Sequence, residues 1–177
     1  MKNGVVSTFL LLGFFSFAQN ADLDKAYSNV ESKVVDWRRD FHQFPELSNR
    51  EFKTAEKIAK HLKSLGIEVQ TGVDLPYKSN EKADFLGIET GVMHACGHDT
   101  HIAILMGVAE VLSKNKDKIN GTIKFIFQPA EEGPPPGEEG GAALMIKEGV
   151  LQNPDVDVIF GLHINSATPV GTIGYKP

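Results

Sequence analysis

Over residues 22–41 the apolar positions Leu23, Ala26, Tyr27, Val30, Val34, Val35 and Trp37 recur at intervals of three and four, which predicts an amphipathic helix. The stretch His42-Gln43-Phe44-Pro45-Glu46-Leu47 ends it, because the residue before a proline avoids helical backbone angles. Ser48 or Asn49 is placed to cap a second helix through Phe52, Ala55, Ile58, Ala59 and Leu62, closed by Gly66. A first strand is expected over residues 67–70, whereas residues 71–90 keep no period of either kind. Asp99 or Thr100 then suits the N-cap of a third helix through Ile102, Leu105, Met106, Ala109 and Leu112. Residues 121–127 and 156–163 read as strands, with a loop over 134–141 and a short helix over 142–150 between them. Helices alternating with strands imply an α/β fold, a largely parallel sheet flanked by helices.

Composition narrows the classes. The chain has 177 residues, 41% hydrophobic and 23% charged, within the range of an ordinary globular domain. Its net charge of −5 and the lack of any basic block leave no electrostatic footprint for nucleic acid. Lys2 precedes an apolar run over residues 5–17, and Ser16-Phe17-Ala18 has the small-x-small form of a cleavage site. Residues 1–18 therefore read as a signal peptide and 19–177 as one domain, secreted or periplasmic, with no stable membrane anchor after signal removal. The single cysteine, Cys96, cannot form a disulfide within the chain and is left for another purpose.

That purpose is suggested by its neighbours. His94, Cys96, His98, Asp99 and His101 fall within eight residues, and Cys96-Gly97-His98 offers a thiolate and an imidazole across a glycine, a donor pair suited to Zn²⁺ or a similar ion. Glu131-Glu132 stands at the expected C-terminal end of one strand and His163 at the end of another. One carboxylate of the pair suits a ligand and its neighbour a general base. His42 and His61 read as surface histidines, and Glu138-Glu139 as a solvated pair. Ligands scattered over separate elements favour a metal-dependent hydrolase over a cysteine hydrolase acting through Cys96.

The blocks Met93-His94-Ala95-Cys96-Gly97-His98-Asp99, Gln128-Pro129-Ala130-Glu131-Glu132-Gly133 and Phe160-Gly161-Leu162-His163 resemble the amidohydrolase branch of the M20 metallopeptidases. That branch includes hippurate hydrolases, N-acyl-amino-acid amidohydrolases and auxin-conjugate hydrolases. The resemblance implies two divalent metal ions, Zn²⁺ or Mn²⁺, held by Cys96, His98, Glu132 and His163, with Glu131 as general base. It implies hydrolysis of the amide bond of N-acyl amino acids or dipeptide-like conjugates by a metal-activated water, on a zinc-peptidase-like catalytic domain. Two departures accompany it. The segments flanking a core strand and an aspartate-rich stretch in that family are fused here at Val73-Asp74, and the sequence runs only to the approach of the lid domain that commonly mediates dimerisation. The expectation is thus a partial catalytic domain without lid or family-type homodimer, the alternative being a catalytically silent metal-binding or interaction fragment.

Overall fold

The computed structural model describes residues 21–71, 84–85, 88–89, 94 and 96–174. The expected signal peptide and the Val73-Asp74 junction lie outside the described residues. Helix α1 spans Ala21–Gln43, α2 Phe52–Ser64, α3 His98–Ser113 and α4 Gly141–Lys147, with a turn of 3-10 helix at Lys116–Lys118. No helix among the described residues is long and apolar enough to cross a membrane.

Parts of the apolar stripes predicted for the first three helices meet in one core, whereas Tyr27, Val35 and Phe52 of those stripes are exposed. Phe41 from α1, Ile58 and Leu62 from α2, and Met106 and Ala109 from α3 are buried together, with Trp37, Leu65, Ile67, Val69, Ile102, Phe125 and Phe127 packed around them. Full burial of side chains of this size contributes about 1.5–3 kcal/mol each. Contact between α1 and α3 depends on Gly107, because a Cβ there would stand 2.7 Å from Val34 Cγ2. The small residue lets the two backbones approach.

The helix starts differ from expectation. Glu51 occupies the N-cap position of α2 with no side-chain cap bond, and the carboxylate of Glu46 accepts the N–H groups of Lys53 (3.1 Å) and Thr54 (2.7 Å) instead. Asn49 is left-handed, with φ of 61°, and its amide donates to Glu138 and to the Glu139 carbonyl, so it is not available to cap. Helix α3 is preceded by Gly97 at φ of 91°, and Asp99 points inward rather than over the helix end. The left-handed angle favours glycine at this turn.

The expected α/β fold with a largely parallel sheet is corrected by the structure. Among the described residues the one strand pairing is antiparallel and two residues long, β1 (Asp84–Phe85) with β2 (Ile88–Glu89), in register Asp84↔Glu89 and Phe85↔Ile88. Residues 67–70, 121–127 and 156–163 carry no strand assignment. An apolar run reports burial as readily as pairing. Phe125 and Phe127 bury against the helical core, while Val158, Ile159 and Phe160 are 71%, 71% and 88% exposed. A parallel strand has no ladder without a neighbour.

Candidate metal centre

Two turns and one extended segment build the site. The first turn enters α3 and brings Cys96 and His98 to its start. The second, Ser-free and acidic, follows the extended residues 121–127 and carries Glu131-Glu132. One ligand atom each from Cys96, His98 and Glu132 lies within 4.8 Å of the others. Ions of this class hold nitrogen and oxygen at about 2.0–2.2 Å and sulfur at about 2.3 Å, so such a set reaches a shared cation by side-chain rotation. A thiolate, an imidazole and a carboxylate also form a donor set suited to zinc chemistry. The residues present fit a divalent metal.

His163, on the extended segment, lies beside this group but outside it, with its Nε2 4.0 Å from Cys96 Sγ. Its Nδ1 donates to the Ile164 carbonyl, which leaves the Nε2 lone pair facing the thiol. His101, one helical turn beyond His98 on α3, holds this segment in place. The Ile164 N–H donates to His101 Nε2 at 3.0 Å, so the proton of that imidazole sits on Nδ1. The His101 ring meets His163 edge-on at 5.0 Å and lies 5.9 Å from His98. The spacing of three residues from His98 was the available signal for His101, since such residues share a helix face.

The carboxylate pair is close to His98. Glu131 Oε2 is 3.1 Å and Glu132 Oε1 3.7 Å from His98 Nε2, and both side chains are open to solvent, 51% and 65% exposed. A hydrogen bond to Glu132 raises the Cys96 pKa, followed by burial and by the negative charges of Glu132 and Glu131. Such surroundings disfavour a free nucleophilic thiolate and suit one neutralised by a cation. Burial lowers the pKa of His101, with the charges of His163 and His98 acting the same way against Glu131 and Asp99. His94 is likewise lowered first by burial.

Some surrounding groups depart from their sequence reading. His42 is at the surface as expected, 42% exposed, but it is engaged: its Nδ1 lies 3.0 Å from Asp99 Oδ2, which is also ion-paired with Arg38 Nε at 3.2 Å. His61 is half-buried against the Trp37 ring at 4.5 Å. Glu138 is paired rather than solvated, accepting Arg50 Nη1 at 3.0 Å and Nη2 at 2.7 Å. Local sequence carries no signal for contacts spanning this much chain. A cavity of about 380 Å³ opens between α1, α2 and α3, lined by Lys33, Trp37, His61 and Glu110, and none of these is a candidate ligand.

Known proteins share this chain's sequence and path. It is 41% identical over 185 residues to thermostable carboxypeptidase 1 of Saccharolobus solfataricus, covering 88% of this chain and 46% of that protein. It is 38% identical over 174 residues to an N-acetyl-L-cysteine deacetylase of Bacillus subtilis, covering 84% and 40%. The crystal structure of a Bacillus subtilis protein described as a dinuclear metal-binding peptidase of the M20 family aligns with a TM-score of 0.65 and 34% identity, covering 86% of this chain and 48% of that one. The chain therefore spans less than half the length of these relatives. The sequence profile of peptidase family M20/M25/M40 matches residues 58–177, and the chain belongs to that family.

Proposed function

We propose that this chain carries the metal-binding and proton-transfer residues of an amidohydrolase acting on N-acyl amino acids or related conjugates. The observation that carries the reading is the convergence of Cys96, His98 and Glu132 within 4.8 Å. His163, 4.0 Å from Cys96, completes a set for two divalent ions, Zn²⁺ or Mn²⁺. Bound ions supply Lewis acidity, polarising the amide carbonyl and lowering the pKa of water. Glu131, beside His98, takes the proton of the attacking water and delivers it to the leaving nitrogen. The deacetylase and carboxypeptidase names of relatives support an amide bond next to an amino-acid carboxylate as the bond cleaved. The positive, apolar and small-residue pattern of residues 1–18 supports export of the chain.

The test is hydrolysis of a panel of N-acetyl and N-benzoyl amino acids by the purified chain, supplied with Mn²⁺ or Zn²⁺. Glu131→Gln should lower the rate by about a hundredfold or more, and a chelator should abolish it. Hydrolysis that survives the chelator would instead support a thiol nucleophile at Cys96. A folded chain with no activity above the Glu131→Gln control would reduce the reading to a silent metal-binding fragment, which the solvent exposure of both glutamates favours.

A further inference from the structure

The two turns that present Cys96-His98 and Glu131-Glu132 are far apart in sequence, yet both are fastened to the same short piece of chain. At the first turn, Asp99 is 2% exposed, and its Oδ2 accepts from His42 Nδ1 at 3.0 Å and forms an ion pair with Arg38 Nε at 3.2 Å. Asp99 follows His98 directly, so this contact fixes the rotation of α3 about its first turn. At the second turn, the Ala130 N–H donates to Glu51 Oε1 at 3.0 Å. Ala130 is 3% exposed and left-handed at φ of 47°, a conformation that non-glycine residues adopt only when their surroundings enforce it. It immediately precedes Glu131. The far side of the same loop is tied back through Asn49 and Arg50 to Glu138.

We infer that the corner between α1 and α2, residues 38–51, is a positioning frame for the site, with Arg38 and His42 setting His98 through Asp99 and Glu51 setting the carboxylate pair through Ala130. These are positioning residues, since none belongs to the ligand set. The frame rests on the metal reading of the site, and it requires that a change remote from the ligands alter metal affinity without unfolding the chain.

Titration of the purified chain with Co²⁺ tests it, followed by the thiolate-to-cobalt absorption and, in parallel, by far-ultraviolet circular dichroism. Glu51→Ala, and separately the double change Arg38→Ala with His42→Ala, should weaken Co²⁺ binding about tenfold and alter the visible cobalt band, while helix content stays unchanged. Glu51→Gln keeps an oxygen facing the Ala130 N–H and should bind as the unchanged chain does. A merely structural role would lower stability without shifting the cobalt band or sparing the glutamine variant. An intact wild-type band with unshifted variants, or a Glu51→Gln variant as weak as Glu51→Ala, would overturn the frame alone. Absence of the thiolate band in the wild type would overturn the metal reading and the frame with it.

Discussion

Cys96 Sγ stands 4.0 Å from His163 Nε2 although 67 residues separate them in the chain. The contact is supported by His101, whose Nε2 accepts the Ile164 N–H at 3.0 Å. His101→Phe keeps a ring beside His163 and removes that acceptor. Zinc affinity, measured by competition with a chromophoric chelator, should fall about tenfold in this variant. An unchanged affinity would mean that His163 is placed by something else.

Gly107→Ala tests the approach of α1 to α3. Alanine improves helix propensity by about 1 kcal/mol, but its Cβ would meet the short, rigid Val34 side chain at 2.7 Å. Overpacking of this kind costs about 1–3 kcal/mol. The urea midpoint should therefore drop, and a midpoint equal to or above the wild type would contradict the packing described.

Glu110 ties the same helices electrostatically. Its side chain is 3% exposed, and Oε1 accepts Lys33 and Lys114 at 2.6 Å each. Either lysine alone leaves the carboxylate paired, so the single alanine changes should be mild. Replacing both should cost about 3 kcal/mol, more than the singles summed, because a buried charge is left uncompensated. Urea unfolding of the three variants checks this.

Acid should weaken the fold in two stages. Burial lowers the His61 pKa from 6.5, against the Met106 carbonyl, so below that value the unfolded chain binds a proton that the folded chain does not. Stability is then lost as pH falls from 6.5 toward the folded pKa. Burial alone would raise the Glu110 pKa, but the Lys114 and Lys33 hydrogen bonds outweigh it and hold the value below 4.5. Its contribution is present above pH 4.5 and is lost as pH falls through the folded pKa. Thermal midpoints should decline over both windows, and His61→Phe should flatten the first. A midpoint independent of pH between 7 and 4 would contradict both assignments.

The first three helices and the meeting of Cys96, His98 and Glu132 were legible because each leaves a local mark. A period of three and four residues specifies which face of α1, α2 and α3 is buried, and Cys96, His98, Glu131, Glu132 and His163 are the residue types that metal chemistry requires. Pairing and bracing leave no such mark. Val158, Ile159 and Phe160 have strand propensity, yet a ladder depends on a neighbour that the pattern of one segment cannot reveal. The partners of His42 and Glu51, Asp99 and Ala130, lie 57 and 79 residues away, beyond the reach of local pattern. The same holds for Glu138, whose bidentate partner Arg50 is 88 residues distant.

The central claim is that Cys96, His98, Glu132 and His163 form one metal centre, and the zinc retained per chain after dialysis against buffered Zn²⁺ tests it most directly. The unchanged chain should retain zinc in stoichiometric amount, while a Cys96→Ser, His98→Ala double variant with unaltered circular dichroism should lose it. Zinc in the unchanged chain no higher than in that variant would contradict the account.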